Sequence, residues 1–422
     1  MFERLRVRRC SYQRSFSSGS STPDRVIWPI GSSTIVPVHY LDHAASTPVL
    51  PEAIEAMLPF LADHPGNPSG GHRAAQEAKT ALEEARENIA ALLGCRAAEI
   101  VFTGSGTEAD NLAVKGSARA RRHLGDGVVT TAFEHKGVLA SAHRLASEGF
   151  HIYEAAVTSA GIIDLDQFAD LLDERTVVVS VMLVNNEVGT VQPLDKVTAV
   201  VRERAPNACL HTDAVQAVPW IDVATATSGC DLVAISGHKF GGPKGMGVLI
   251  VRDGTDLRPD IEGGGQERGL RSGTVNVAGA IALATALRIT QERRAGELIR
   301  IGALRDRLWD GIHVALPETR VNGDVAAKVA GNLHVCFPGI EAEVLLLMLD
   351  QRGIAAAAGS SCSSGATEPS YVLKAMGMSR EDALASVRFS LGVASTDADV
   401  DACITIVPEL VRGLRERTVV NA

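Results

Sequence analysis

The sequence predicts an α/β fold, in which a mostly parallel sheet flanked by helices is accompanied by a smaller α+β domain. The chain has 422 residues, which is more than one hydrophobic core usually supports. Short apolar runs rich in β-branched residues alternate with amphipathic stretches, the pattern of a parallel sheet covered by helices. Polar residues directly follow several of these runs, which indicates a ligand site at one edge of the sheet.

The predicted elements follow the chain in order. Residues 51–61 are predicted to form a helix with a proline at its start, and residues 72–93 a longer amphipathic helix. A long helical region runs to about residue 311, and short strands and helices alternate from about residue 319 onward. The predicted strands cover residues 99–103, 128–132, 176–184, 208–212, 232–235 and 247–252.

Residues 1–36 differ in composition from the rest of the chain and are left out of the fold prediction. Several arginines up to Arg14 precede a run of serine and glycine. Such a composition is found in mitochondrial transit peptides. A disordered tail, or a start codon placed too early, is the preferred explanation, and a transit peptide is the alternative.

Composition argues against several classes of function. A net charge of −9 argues against nucleic acid as a partner, and no apolar run approaches the length that spans a membrane. The seven cysteines are irregularly spaced and include no CxxC pair, which argues against a disulfide framework and a structural zinc site. We therefore expect a protein of the reducing cytoplasm, or of the mitochondrion if residues 1–36 are a transit peptide.

Polar residues at the ends of predicted strands indicate where the site lies. Because parallel strands end at one edge of a sheet, we expect these side chains to lie together. Lys239 stands beside His238 and ahead of a Gly-Gly-Pro turn, a setting unlike that of a surface lysine. A partly deprotonated lysine here could form a Schiff base with an aldehyde cofactor. The strand-end residues are Thr107, His135, Asn186, Asp213 and Lys239.

Residues 104–109, Gly-Ser-Gly-Thr-Glu-Ala, stand between a predicted strand and a predicted helix. Backbone amides and the helix dipole can hold a phosphate at such a junction. The same letters fit the relaxed dinucleotide fingerprint G-x-G-x-x-A, with Glu134 as the acidic residue after the next strand. On this motif alone, pyridoxal phosphate, a nicotinamide dinucleotide and a structural turn all remain open.

Asp213 favours pyridoxal phosphate over the dinucleotide. This cofactor accepts electrons only while its pyridine nitrogen stays protonated, which a carboxylate partner ensures. Asp213 ends a predicted strand ahead of Lys239, with His211 and Gln216 close by in an otherwise apolar region. That setting argues against a surface aspartate in a loop.

Three further residues stand out. His135 could stack on a ring or shuttle a proton, although a lone histidine is more often structural. Cys362 lies in a loop of glycine and serine, whereas the other cysteines of the folded part adjoin apolar stretches, so we expect it to be nucleophilic. Arg388 lies within an apolar run and needs an anionic partner, either a substrate carboxylate or a structural one.

Taken together, the motifs of the chain resemble one known family, from Tyr40 nearly to the end. In type and order they are similar to those of the cysteine desulfurases of the NifS/IscS type. These belong to the class V aminotransferase group of fold-type I pyridoxal phosphate enzymes. The motifs are Asp42-His-Ala-Ala-Ser-Thr-Pro48, Gly66-Asn-Pro-Ser69, Thr107-Glu-Ala-Asp-Asn111, Glu134-His-Lys136, Val184-Asn-Asn-Glu-Val-Gly189, Asp213-Ala-Val-Gln216, Ser236-Gly-His-Lys239 and Arg271-Ser-Gly-Thr274.

The resemblance implies a role for each matching residue. Lys239 would be the Schiff-base lysine, Asp213 the partner of the pyridine nitrogen, and His135 would stack on the ring. Cys362 would be the catalytic cysteine, and Thr274 would reach the phosphate in the partner subunit of a homodimer. The other implied contacts are Gly106, Thr107, Ser236 and His238 around the phosphate, Gln216 at the phenolate oxygen, and Asn186 and Arg388 at the substrate carboxylate.

The implied reaction removes sulfur from L-cysteine. Lys239 would move the α-proton, and the Cys362 thiolate would attack the substrate sulfur, leaving alanine and a persulfide on Cys362. The sulfur would pass to an acceptor such as an iron–sulfur scaffold or a tRNA-thiolation protein. A selenocysteine lyase, a class V aminotransferase that does not use Cys362, and a non-enzymatic sulfur-relay protein are the alternatives.

The resemblance also implies the domain boundaries. A large domain of residues 53–292 would hold the cofactor on a seven-stranded sheet. A small domain of residues 37–52 and 293–422 would carry the cysteine loop at about residues 357–370. The family's usual Ala-Thr-Thr-Pro is replaced by Ala45-Ser-Thr-Pro48, and Ser-Ala-Cys-Thr by Ser-Ser-Cys-Ser, which leaves the acceptor open.

Overall fold

The computed structural model describes residues 38–359 and 368–420, without the side chains of residues 418–420. The described chain begins with a short strand, β1 (His39–Tyr40), followed by helices α1 (Pro51–Ala62) and α2 (Arg73–Leu92). Proline begins α1, and α2 buries a stripe of alanine, leucine and isoleucine along one face. The predicted bounds of both helices are therefore confirmed to within one residue.

Seven strands form the central sheet, which is mostly parallel, as predicted. They are β2 (Ile100–Thr103), β3 (Gly127–Thr131), β4 (His151–Ala155), β5 (Thr176–Ser180), β6 (Cys209–Asp213), β7 (Leu232–Ser236) and β8 (Gly247–Val251). Their order across the sheet is β2, β8, β7, β6, β5, β3, β4. Only β8 runs antiparallel to its neighbours, so β3 to β7 all present their carboxyl ends at the same edge.

Helices cover the sheet on both faces. α3 (Gly106–Ala120), α4 (Lys136–Ala146), α5 (Leu165–Asp170), α6 (Leu194–Arg204) and α7 (Val223–Ala226) lie between the strands along the chain. Every strand of this sheet except β4 is buried along its whole length, as expected for a sheet with both faces covered. Within the described ranges, no helix is both long and apolar enough to cross a membrane.

The sequence prediction was wrong at two strands. It missed β4, an edge strand whose side chains are mostly exposed, so the chain there lacks the buried apolar run that marks a strand. It also extended β5 to residue 184, whereas β5 ends at Ser180, its last pairing with β3. The amides of Val181 and Leu183 still donate to carbonyls of β6, at 3.1 and 2.9 Å, which keeps this run buried.

A single long helix, α8 (Val277–Ala315), contributes to two hydrophobic clusters. Its first buried residues, up to Ile289, pack with the central sheet. Its later ones, from Ile301 to Ile312, pack in a second cluster with Leu41 and the carboxyl-terminal part of the chain. Residues from His39 onward form one compact unit, so the predicted domain boundaries stay a prediction.

The second cluster is built from short strands and helices, as predicted for this part of the chain. The elements in order are β9 (Arg320–Val321), β10 (Asn332–Cys336), α9 (Ala342–Gln351), β11 (Ile354–Ala355), α10 (Tyr371–Ala375), α11 (Arg380–Leu384), β12 (Ser386–Ser390) and α12 (Asp397–Val420). β10 pairs antiparallel with both β9 and β12, while β11 pairs in parallel with β1. The start of the described chain is thus tied to this carboxyl-terminal part.

A buried ion pair holds residues 263–274, the glycine-rich segment ahead of α8, against the edge strand β2. The Glu267 carboxylate accepts hydrogen bonds from the Arg86 guanidinium at 2.7 and 2.9 Å and from the Phe102 amide at 2.8 Å. Both side chains of the ion pair are almost fully buried. Removing one partner of a buried pair leaves the other charge without compensation.

We expect Glu267→Ala to lower the free energy of unfolding by about 3 kcal/mol, because Arg86 would stay buried without its partner. Equilibrium urea unfolding measures the change. The matched control is Glu84→Ala on the exposed face of α2, where a surface substitution changes stability by less than about 0.5 kcal/mol. Equal effects of the two substitutions would contradict the anchoring role of Glu267.

Candidate active site

Lys239 is presented by the turn that follows β7. The strand ends at Ser236, and a short 3-10 turn (Gly237–Lys239) leads the chain away from the sheet. The Lys239 ammonium donates hydrogen bonds to the carbonyl oxygens of Ala44 and Ala45, at 2.6 and 2.8 Å. Gln216 Nε2 donates to the same Ala44 oxygen at 2.9 Å. The chain around Ala44 therefore closes over the carboxyl edge of the sheet.

The carboxyl group of Asp213 lies at the end of β6, beside two other titratable groups. Asp213 is buried, and its Oδ1 accepts a hydrogen bond from the Val215 amide at 2.8 Å. His135 precedes α4, and its Nδ1 accepts from the Gly137 amide at 3.0 Å. One polar atom each of Asp110, His135 and Asp213 lie within 4.8 Å of one another. The structure thus brings together the two predicted residues, Asp213 and His135.

Burial shapes the protonation of this group. It raises the pKa of Asp213, while the neighbouring His135 and Lys239 work in the opposite direction. Burial lowers the pKa of His135, and the positive charge of Lys239 lowers it further. The negative charge of Asp213 raises it and offsets part of this shift. Burial and the charge of Lys239 lower the pKa of His238 to about 4, so this imidazole is neutral at neutral pH. Placing a positive group beside Asp213 would favour its ionised form.

The predicted phosphate residues meet where α3 starts. Gly106 is the first residue of α3, and Ser105 caps the helix by accepting from the Glu108 amide at 3.0 Å. A Cβ on Gly106 would lie 2.7 Å from Val215 Cγ2 and 3.2 Å from Ser236 Cβ. The backbone at Gly106 therefore approaches the ends of β6 and β7 more closely than any side chain allows. Thr107 lies in the same first turn of α3.

The remaining phosphate candidate, His238, contacts the amino-terminal part of the chain. Its Nδ1 lies 3.3 Å from the Ser46 hydroxyl. Its backbone carbonyl accepts from the amide and the hydroxyl of Thr47, at 2.9 and 3.0 Å. The Ala45-Ser-Thr-Pro48 motif thus lies against the turn that carries Lys239.

The two predicted substrate residues, Asn186 and Arg388, are in direct contact. Arg388 is buried in β12 and donates from Nη1 to the Asn186 carbonyl at 2.7 Å. Its Nη2 donates to Asp42 Oδ1, also at 2.7 Å, so the structural carboxylate weighed in the sequence analysis is present. Arg388 Nε and Asn186 Oδ1 are buried and have no hydrogen-bond partner within the described residues. Of these two atoms, Arg388 Nε can donate a hydrogen bond to a carboxylate ligand, whereas Asn186 Oδ1 can only accept one.

A partly open pocket lies against Lys239, Gln216 and Asn186. Its walls are mostly apolar, with a few polar groups among them, as in many ligand sites. His43 lines it with two ring nitrogens that are buried and have no partner among the described residues. Burial lowers the pKa of His43 to about 4, so it is a neutral polar group in this wall.

The predicted catalytic residue Cys362 lies outside the described residues, in the gap at 360–367. The two sides of that gap can be described. Gly359 has a positive φ of 76°, and a Cβ there would lie 2.6 Å from Glu187 Oε2. The Ser370 hydroxyl donates to the same oxygen, and the Tyr371 hydroxyl donates to the Glu134 carbonyl at 2.7 Å. Both sides of the gap are therefore fixed beside Asn186 and His135.

Thr274 is exposed, and it follows the segment that the Arg86–Glu267 ion pair anchors. Its predicted contact lies in a partner subunit, so a single chain does not test that role. Arg271, three residues earlier, donates from Nε to Glu108 Oε1 at 2.7 Å. The end of the segment is thus attached to the helix that begins at Gly106.

The structure places three further residues at the site, Asp110, Glu134 and His211, of which only Glu134 had a predicted role, in the dinucleotide alternative. Burial raises the pKa of Asp110 well above its usual range, as do Asp213 and Glu134. Burial lowers the pKa of His211 to about 3, and its Nε2 lies 3.7 Å from Asp110 Oδ1. Spacing could have indicated two of them, since Asp110 follows Thr107 by one helical turn and His211 shares a strand face with Asp213.

The sequence profile of the family described as Aminotransferase class-V matches residues 39–403. A "Cysteine desulfurase IscS" from Clostridium botulinum is 38% identical over 379 residues, which cover 89% of this chain and 95% of that protein.

Two solved structures are similar along most of their length. A "NifS-like protein" has a TM-score of 0.84 and 35% identity, covering 89% of this chain and 99% of its own. A structure titled "SspA in complex with cysteine" has a TM-score of 0.74 and 33% identity, covering 83% and 98%. The chain belongs to the class V aminotransferases, a family that depends on pyridoxal phosphate. Within that family it belongs to the cysteine desulfurases of the NifS/IscS type.

The described residues fit pyridoxal phosphate. The start of α3 and the hydroxyls of Thr107 and Ser236 offer donors for a phosphate, and the absence of a Cβ at Gly106 lets the helix start approach Val215 and Ser236. The buried Asp213 carboxyl suits a protonated ring nitrogen, and the Lys239 amine suits an aldehyde. The roles of the single residues stay predictions, because they rest on the family pattern.

We expect Gly106→Ala to weaken the affinity for pyridoxal phosphate about tenfold, because the added methyl group forces the start of α3 away from Val215 and Ser236. Titration of the apoprotein, followed by the visible absorbance of the cofactor, measures the affinity. Gly71→Ala is the control, since a Cβ there has no heavy atom within 4 Å. Similar affinities of both variants would contradict the close approach at Gly106.

Glu134 predicts a dependence of stability on pH. Burial raises its pKa to about 8, whereas a glutamate of an unfolded chain titrates near pH ~4.3. Between these values the folded protein binds more protons than the unfolded chain, so Glu134 lowers the free energy of unfolding as pH rises. Glu134→Gln abolishes this titration. The stability of the variant relative to wild type should therefore increase from about pH 5 to about pH 8.

Urea unfolding of both proteins at several pH values tests this dependence. Glu84→Gln, on the exposed face of α2, serves as the control and should follow wild type at every pH. A difference between Glu134→Gln and wild type that does not change with pH would show that Glu134 is ionised in the folded protein.

Proposed function

We propose that this chain removes sulfur from L-cysteine, releases L-alanine, and carries the sulfur as a persulfide on Cys362 to an acceptor protein. The observation that carries the proposal is the position of the residues on either side of the Cys362 gap. Gly359 and Ser370 both lie against Glu187, next to Asn186, and Tyr371 bonds to the residue before His135. The two described ends of the gap thus lie next to Asn186 and His135, two of the residues proposed for the site.

Each part of the reaction has a candidate residue. Pyridoxal phosphate, when bound, supplies an electron sink for the α-carbon of the substrate. Asp213 would pair with its ring nitrogen, and Lys239 would carry the α-proton between carbon atoms. Arg388 would orient the substrate carboxylate through its buried Nε, which lacks a partner in the described chain, and Asn186 would donate to it from its side-chain amide nitrogen. These residues would orient the substrate for the attack of Cys362 on its sulfur.

The sulfur-transfer step is a displacement at sulfur. The Cys362 thiolate attacks the sulfur of the substrate, the new S–S bond forms, and the C–S bond breaks. The carbon that loses sulfur takes up a proton and leaves as part of alanine, so the step needs no external oxidant. A thiolate is required because the neutral thiol is a poor nucleophile.

The homodimer, the sulfur acceptor and the cellular compartment are part of the same proposal. A homodimer would complete each site with Thr274 of the other subunit, and an iron–sulfur scaffold or a tRNA-thiolation protein would accept the sulfur. The curated relative from Clostridium botulinum is named IscS, and the SspA structure holds cysteine, which supports the substrate class. Five cysteines of the described chain are all unpaired, which supports a reducing compartment such as the cytoplasm.

We expect Cys362→Ser to retain the yellow colour of the bound cofactor but to lose at least about 99% of sulfide and alanine release from L-cysteine. The reason is that serine leaves the cofactor site intact and removes the nucleophile. Both products are measured under a reductant that liberates sulfide from the persulfide. Cys95→Ser is the matched control, because burial raises the pKa of Cys95 to about 11 and keeps it unreactive.

Other outcomes separate the alternatives. A Cys362→Ser variant as active as wild type would indicate a class V aminotransferase that does not use this cysteine. A wild-type protein that is faster on selenocysteine and retains that activity in the variant would indicate a selenocysteine lyase. A protein that never binds pyridoxal phosphate would indicate a sulfur-relay protein and contradict the proposed reaction.

A further inference from the structure

Residues 263–274 form an exposed glycine-rich segment that is nevertheless held in one conformation. Gly263, Gly264 and Gly265 open the segment, and most of its residues are exposed or half-buried. Such a composition gives a chain much conformational freedom. Two ion pairs and several hydrogen bonds hold this segment in a fixed conformation.

The inner contact is the buried carboxylate of Glu267. Besides its hydrogen bonds to Arg86 and to the Phe102 amide, Glu267 has a left-handed backbone, with φ of 46°. Arg268 follows with φ of 57° and donates to the Ile100 carbonyl at 3.2 Å. Two consecutive residues with positive φ, neither of them glycine, are unfavourable and persist only where the surroundings determine them. The segment is therefore fixed to β2 at some conformational cost.

The outer contact is the ion pair between Arg271 and Glu108. Arg271 Nε donates to Glu108 Oε1 at 2.7 Å, and Glu108 Oε2 accepts from the Gly104 amide at 2.9 Å. Gly104 belongs to the loop between β2 and α3, and Glu108 directly follows Thr107. The same carboxylate thus joins the segment to the loop that is proposed to hold the phosphate.

Hydrogen bonds within the segment complete the arrangement. The Ser272 hydroxyl donates to the Gly264 carbonyl at 2.7 Å, and the Gly273 amide donates to Gln266 Oε1 at 3.0 Å. These bonds bring the end of the segment back to its beginning. Thr274 lies at the end of this arrangement and is exposed to solvent. A rigid support under an exposed hydroxyl is expected where the hydroxyl must meet a ligand of another molecule.

We propose that residues 263–274 are a rigid link between the phosphate loop of one subunit and the cofactor of its partner, with Arg271 and Glu267 as positioning residues for Thr274. The inference rests on the proposed function, because it takes the homodimer and the role of Thr274 from there. It adds that the two sites are connected through Glu108. A cofactor phosphate that orders residues 104–108 in one subunit thereby steadies the hydroxyl that serves the other.

The test is a double-mutant cycle read out by the equilibrium affinity for pyridoxal phosphate. Thr274→Ala and Arg271→Met should each weaken this affinity about tenfold in the homodimer. The double variant should be well short of a hundredfold weaker than wild type, because most of the effect of Arg271 passes through Thr274. Glu52→Gln, which breaks the exposed Glu52–Arg293 ion pair elsewhere, is the control and should bind like wild type.

Additive losses, in which the double variant is about a hundredfold weaker, would overturn the proposal, as would a Thr274→Ala variant that binds like wild type. Sedimentation shows whether each variant remains a dimer. If Arg271→Met dissociates, Glu108→Gln replaces it, and additivity with Thr274→Ala then overturns the proposal in the same way. Failure of the proposed function is recognised separately, since wild type would bind the cofactor and release no sulfide.

Discussion

The hydrogen bonds from Lys239 to the carbonyls of Ala44 and Ala45 hold together the parts of the site. They fix the chain before α1 over the carboxyl edge of the central sheet. Two residues earlier, Asp42 pairs with Arg388, and the Ala44 amide donates to the Ser390 hydroxyl at 2.9 Å. Arg388 in turn binds the Asn186 carbonyl. One short stretch of chain therefore sets the distance between the lysine and the proposed carboxylate site, which belong to elements far apart in sequence.

Without a bound cofactor, the buried carboxyl groups at this edge of the sheet are costly to ionise. Asp110, Asp213 and Glu134 are buried close together, and the pKa of each is raised, mainly by burial. Adjacent buried carboxyl groups cannot all ionise without a compensating positive charge. Lys239 and His135 supply part of it, and a protonated pyridine nitrogen beside Asp213 would supply more. The arrangement thus favours a cationic ring over a neutral one, which is what an electron-accepting cofactor requires.

Much of this could be predicted from the sequence, for physical reasons. The buried strands show as apolar runs, and β3 to β7 end at one edge, so His135, Asp213 and Lys239 could be placed together. Strand β4 could not be predicted, because an exposed edge strand has no buried apolar run. Spacing could place Asp110 near Thr107 on α3, but not its contact with His211, because that contact depends on how α3 packs against β6. The partner of Arg388 is 346 residues away, and no local pattern indicates it.

The most direct test of the account is the identity of the lysine that holds the cofactor. Sodium borohydride converts a Schiff base into a stable secondary amine, and mass spectrometry of tryptic peptides then locates the pyridoxyl group. We expect the label on Lys239 alone, with Lys239→Ala unlabelled and no longer yellow. A label on Lys244 or on another lysine, with Lys239 unmodified in a yellow protein, would contradict the proposed site and the closure of residues 42–48 over it.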